Sequence, residues 1–164
     1  MKGAIGKKIA LAEALYEKWA QPLREDPAIE AQLHEIAARV SASESFSRLC
    51  GVSQVCTLCD REEGGSCCGA GIEDRYTPEL LLMNLLIGVT LPESRHCAKS
   101  CHFLGERGCI LHVRDILCIN YLCSKIKETI TTENLFRLQE VNGLEMDLIF
   151  LLHDRIRNFI RSRE

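Results

Sequence analysis

The sequence predicts a mainly α fold: a helical bundle with an irregular, cysteine-rich lobe. Three observations predict it. Apolar residues recur every three or four positions near the N-terminus, and the same spacing runs through the C-terminal stretch. Between them lie ten cysteines, most in two bursts among glycines and turn residues. Period-two alternation, the mark of a half-buried strand, is scarce.

The first zone covers residues 1–49. Ile5, Ile9, Ala12, Leu15 and Trp19 fall on one helical face, and Ile29, Leu33, Ile36 and Val40 repeat the step. "QPLREDPA", with two prolines, breaks the pattern between them, and "SASES" loosens it afterwards. A helical hairpin is expected. The second zone, 50–126, is read as loop-rich around one clear helix. "YTPELLLMNLLIG" offers Thr77 as N-cap, Pro78 at the first helical position, Glu79 in the first turn and Gly88 as a stop. That helix separates the cysteine groups, so the chain must double back to bring them together. The third zone, 127–164, is one long helix from about Thr132 to Ile160. Its stripe of Leu138, Val141, Leu144, Leu148, Leu152, Ile156 and Phe159 is expected to pack on the N-terminal helices. The three zones are read as a single domain, 1–164.

With 164 residues, one domain buries roughly 70% of its unfolded-state surface, so a core does not need staples. The chain is 46% hydrophobic and 26% charged, with net charge −3, which argues against a nucleic-acid partner. The one basic cluster, Arg155, Arg157, Arg161 and Arg163, suits a helix C-terminus. Glu13 and Glu17 interrupt what would have to be the apolar core of a secretion signal. The apolar run from Leu80 is shorter than the about 20 residues of a membrane span. A cytoplasmic protein is expected. Thiols stay reduced there, and clustered cysteines then point to metal or catalysis before disulfides.

Written as spacings, the first group is C-x5-C-x2-C-x7-CC from Cys50 to Cys68. The second is C-x3-C-x7-C-x8-C-x4-C from Cys97 to Cys123. One cysteine alone reads as a small buried apolar group. This many at these spacings reads as a metal centre, because thiolates are the soft ligands that zinc and iron–sulfur clusters use in sets of about four. A CxxC lets two sulfurs converge across a tight turn. Distant pairs such as Cys59 and Cys118 tie remote segments together. The glycines of "GGSCCGAG" fit a ligand loop or an ordinary turn equally well. His96, His102 and His112 lie beside cysteines and are read as polar neighbours, since thiols suffice without them. Glu62, Glu63, Glu73 and Asp74 are read as a solvated surface.

At this point the chain resembles the YkgJ-like cysteine-cluster family, the zinc- or iron-chelating domain of CxxCxxCC type. Cys56, Cys59, Cys67, Cys68 and "TPE" at Thr77–Glu79 follow that family's order. "CHFL" at Cys101, "CILH" at Cys109, "RDILC" from Arg114 and "YLC" from Tyr121 continue its register. The resemblance covers about Cys56 to Cys123. Asp115 stands where the family has proline, Ile119 where arginine is common and Leu122 where proline is common. These departures spare the sulfurs and bear on a partner surface. Cys56, Cys59, Cys67, Cys68, Cys101, Cys109, Cys118 and Cys123 match the register at spacings that can converge, and are the expected ligands. Cys50 and Cys97 are extras and rank second.

Eight thiolates exceed what one common centre needs. Either two neighbouring sites divide at the CC pair, or one site carries reserve thiols. An iron–sulfur cluster is favoured over zinc, because bulky apolar residues surround the later cysteines and adjacent sulfurs sit awkwardly on one tetrahedral ion. The leading expectation is therefore an iron–sulfur protein in electron transfer or in redox or metal sensing, with a protein partner. The alternatives are a structural zinc module for protein–protein interaction and a metal-dependent enzyme. A related cysteine motif accompanies a flagellin lysine methylase, so the resemblance makes methyl transfer conceivable. No phosphate-binding or dinucleotide-binding glycine loop supports an enzyme.

Overall fold

Helix α1 (Ala4–Glu25) runs straight through Pro22, where the sequence suggested a break. An interior proline normally costs a helix about 3 kcal/mol. Here it lies in the last turns, and the residues after it are anchored. Leu23 is fully buried, and the Arg24 guanidinium donates to the Leu86 carbonyl. The chain turns only at Asp26, whose carboxylate accepts from Ala28 N (3.0 Å) and Ile29 N (3.1 Å) to open α2 (Pro27–Leu49) with proline at N1. Helix α2 also continues through "SASES", because Ser43 is buried and its hydroxyl bonds within the helix to Val40 O. The computed structural model describes residues 4–63 and 67–164, with only the backbone for 60–63. Expectations about Glu62 and Glu63, and about the first residues of "GGSCCGAG", lie outside the described side chains.

Helix α3 (Val52–Glu63) follows, then a 3-10 turn (Ile72–Arg75) and α4 (Pro78–Leu86). Thr77 caps α4 by accepting from Leu80 N at 3.2 Å, and Gly88, at φ +88°, turns the chain out of it. A short antiparallel hairpin pairs β1 (Leu104–Gly105) with β2 (Gly108–Cys109). Helices α5 (Ile116–Asn120), α6 (Ser124–Thr129) and α7 (Thr132–Arg161) complete the chain. The fold is mainly α, as the sequence predicts. The second zone is more helical than expected, since α3, α5 and α6 join the one helix foreseen there.

Helix α7 lies along α2, and α1 lies along α4. Trp19 meets Phe159 edge to face at 6.3 Å, which joins α1 to the end of α7. The main core draws on α1, α2, α4, the second cysteine segment and α7. A smaller apolar cluster of Ile126, Ile130 and Leu138, flanked by Val52 and Val55, packs α3 against α6 and the start of α7.

The buried line on α7 is not the purely apolar stripe expected. Leu144 is exposed, whereas Asn142 and Glu145 are buried in line with Leu138, Leu148, Ile149, Leu152, Ile156 and Ile160. Each polar residue has a reason to face inward. Asn142 donates to Ile119 O at 3.1 Å, and Glu145 meets the Ser43 hydroxyl from α2. The Ser43 hydroxyl has one proton to share between Val40 O and the Glu145 carboxyl. Burial raises the Glu145 pKa, with the Ser43 hydrogen bond and Arg114 opposing. A carboxyl whose pKa rises on folding stabilises below its unfolded value and loses that contribution as pH rises through the folded one. Glu145→Gln is therefore expected to remove one part of the wild-type decline above the usual 4.5. Urea midpoints from pH 4 to 8 measure it; parallel curves for the two proteins would refute the assignment.

Candidate metal centre

Backbone pairing brings the two cysteine segments together. Cys101 N donates to Cys68 O at 2.7 Å and Ala70 N to Lys99 O at 2.9 Å, around an antiparallel bridge between Gly69 and Ser100. Glu73, read from sequence as solvated, is buried and clamps this junction. Its carboxylate accepts from Gly71 N (2.9 Å) and His102 N (3.4 Å) and pairs with the Arg95 guanidinium, which also donates to Ser100 O. Burial disfavours its charge, but the backbone donors and Arg95 outweigh that and hold its pKa below the usual carboxylate value.

The segment after the hairpin is fixed from α4. Asn84 is fully buried in the most apolar helix of the chain. Its amide donates to Leu80 O (3.1 Å) and Val113 O (2.8 Å), and its oxygen accepts from His112 N (3.0 Å) and Val113 N (2.9 Å). The hairpin itself needs Gly108, whose φ of +114° an L side chain rarely adopts. Asp115 caps α5 by accepting from Leu117 N (3.0 Å) and pairs with Arg75 at 2.8 Å. A proline at this position would lose both contacts.

These constraints gather Cys56, Cys59, Cys67, Cys68, Cys109, Cys118 and Cys123 around one cavity of about 390 Å³. Leu111, Ile119, Leu122, Ile126 and Leu138 supply apolar wall, and Arg114 supplies a cation. The CxxC of Cys56 and Cys59 lies on α3, not in the tight turn expected. Three positions apart on a helix, the two side chains still share a face. Cys101 lies behind this wall, buried in the main core. Cys50 bonds back to Ser47 O at 3.8 Å in the last turn of α2. Neither Cys50 nor Cys97 lines the cavity. His102 faces the Pro92 carbonyl at 3.1 Å and His112 faces Glu44 at 3.4 Å. None of the ten cysteines is joined in a disulfide.

Among the described residues, no group of three or more His, Cys, Asp or Glu side chains is arranged to hold a metal ion as it stands. The donor set is nonetheless of one chemical kind. Burial, then the charges of Cys67, Cys123 and Cys59, push the Cys56 thiol up to about 11; burial does the same for Cys101. Desolvation by neighbouring atoms also raises Cys109 and Cys118, although Cys109, like Cys56 and Cys67, is exposed at the mouth of the cavity, while Arg114 favours the thiolate at Cys56, Cys109 and Cys118. Cys67 and Cys68 share a side-chain hydrogen bond that lowers the first and raises the second. Apart from Cys67, these crowded thiols resist ionisation without a cation, and a bound metal supplies one. Tyr76, buried against Phe103 at 5.0 Å, donates to Cys118 Sγ at 3.9 Å. Such a bond to sulfur orients a ligand.

Sequence reasoning took Glu73 for a solvated residue and passed over Arg95, Asn84 and Tyr76. Only Asn84 left a usable signal, a lone amide inside "LLLMNLLIG". No protein-family model, no curated protein and no solved structure matches the chain. Among the described residues no helix is long and apolar enough to cross a membrane.

Proposed function

We propose that the chain is a metal-binding protein that carries an iron–sulfur cluster on its clustered cysteines, in electron transfer or in redox or metal sensing. The observation that carries this reading is the convergence of seven cysteines, from segments far apart in sequence, on one cavity. Its volume of about 390 Å³ is generous for one tetrahedral ion. The apolar wall would restrict water on the inner side of a cluster, where Cys59, Cys68, Cys118 and Cys123 are half-buried, while Cys56, Cys67 and Cys109 stay exposed. The ligands are drawn from Cys56, Cys59, Cys67, Cys68, Cys101, Cys109, Cys118 and Cys123. The membership proposed from the motif register, in the YkgJ-like zinc- or iron-chelating family, agrees with this chemistry. A reducing compartment, the cytoplasm, would keep the thiols available. The partner proposed is another protein, met where Ile116, Leu117 and Tyr121 are exposed on the cysteine lobe.

One observation favours a structural zinc module instead. Among the described residues, the lobe's own apolar cluster has three buried members, Ile126, Ile130 and Leu138, so a bound ion could add much of its stability. Protein purified without oxygen decides between them. The iron–sulfur reading expects a brown protein with visible absorption and acid-labile sulfide matching its iron. Colourless protein with stoichiometric zinc and no sulfide would sink it.

A further inference from the structure

We infer that Arg114 is a positioning residue for the cysteine centre: its guanidinium offsets the charge of the bound thiolates and donates to one of their sulfurs. This rests on the metal-binding reading above and adds the residue that balances the charge of the site.

The backbone on both sides of Arg114 is fixed. The Asn84 amide holds Val113 through its N–H (2.9 Å) and its carbonyl (2.8 Å). Asp115 caps α5 and pairs with Arg75 at 2.8 Å. The Arg114 side chain between them is 23% exposed and lines the cavity. Arg48 and Arg107 line it too, but both are exposed, and Arg48 donates to Ser45 on its own helix.

The guanidinium is not spent on its protein neighbours. Its Nε is buried and has no hydrogen-bond partner among the described residues. Glu145 Oε1 lies 3.9 Å from its Nη2, beyond hydrogen-bond reach, and is itself buried without a hydrogen bond. The other Glu145 oxygen meets Ser43 on α2, and burial favours the neutral carboxyl. The cation of Arg114 is therefore left largely uncancelled. A buried donor with no acceptor is costly, which points to a partner gained when the cavity is loaded. Its charge reaches thiols on three segments, Cys56 on α3, Cys109 on β2 and Cys118 on α5, where it opposes the effect of burial. Thiolates in sets of about four leave excess negative charge on a divalent ion. An apolar wall makes that charge costlier, and a guanidinium in the same wall offsets it. Its N–H groups are strong donors to an anionic acceptor, and donors of this kind orient ligands and tune a metal.

Cobalt(II) is the probe, added without oxygen to the reduced, metal-free full chain. Thiolate-to-metal absorption is the readout, with a competing chelator to give the affinity. Arg114→Gln is expected to bind about 10–100-fold more weakly than wild type, with unchanged stoichiometry. Arg114→Lys keeps the charge but loses the planar fork, and should recover part of that loss. Urea midpoints of the metal-free variants report any loss of packing separately. A second measurement uses the wild type alone. In isotope-labelled protein the Arg114 Nε–H resonance is expected to shift, and to exchange more slowly with water, once zinc is bound. Three results would each overturn the inference and leave metal binding in place: wild-type affinity in Arg114→Gln, equal weakening in both variants, or an Nε–H unchanged by zinc. No thiolate–cobalt absorption in the wild type overturns the metal-binding reading as well.

Discussion

Glu73→Ala is expected to destabilise the chain by about 3 kcal/mol at neutral pH, as breaking a buried ion pair generally does. The carboxylate is almost fully buried and does three things at once. It neutralises Arg95, whose side chain is 26% exposed, and it accepts the Gly71 and His102 amides. Solvent reaching Arg95 softens the loss, whereas the two amides lose the acceptor that Glu73 supplies. Because the clamp sits where the cysteine segments meet, the loss should fall first on the lobe. Hydrogen exchange is expected to speed up at residues 68–73 and 99–103 before it does in α1 or α7. The pH dependence has a definite sign. The folded pKa lies below the usual 4.5, so the contribution is complete above that value and is lost as pH falls through the folded pKa. Glu73→Gln should flatten that acid limb. An acid limb unchanged in Glu73→Gln would show that the pair does not stabilise the junction.

Asn84→Ala is expected to cost a similar amount, about 3 kcal/mol, for a different reason. Removing the amide strands two backbone donors and one acceptor: the N–H and carbonyl of fully buried Val113 and the half-buried N–H of His112. Each stranded group costs about 1–3 kcal/mol, less whatever water can enter to satisfy. Asn84→Asp tests the geometry more finely. It keeps the oxygen that accepts from His112 and Val113, but it puts a second oxygen beside the Leu80 and Val113 carbonyls. Thermal melts should rank wild type above both variants, with the loss accompanied by mobility at 111–114. A melt unchanged in Asn84→Ala would mean that the segment is held from elsewhere.

Much of the helical framework is legible in the sequence, because its signals are local. Thr77, Pro78 and Gly88 mark the ends of α4 through capping chemistry that depends on neighbouring residues alone. The long α7 is legible for the same reason, from Thr132 almost to its end. Pro22 and "SASES" mislead because tertiary anchoring at Leu23, Arg24 and Ser43 overrides local preference. The stripe on α7 drifts to Leu144 because an apolar pattern skips the polar residues Asn142 and Glu145, whose partners lie on other segments. Glu73 is hidden for that reason too, since Arg95 is 22 positions away. The cysteines of the cavity are legible as a set from spacing. Cys101, expected with them, lies in the main core and does not line the cavity, because its segment is tied to the core by neighbours that spacing does not reveal.

X-ray absorption at the metal edge of the loaded full chain tests the central claim, that the converging cysteines hold metal through sulfur alone. The expected result is a sulfur-only first shell, at about 2.3 Å for zinc, with iron neighbours beyond it if a cluster is bound. A first shell of nitrogen and oxygen at about 2.0–2.2 Å would contradict it.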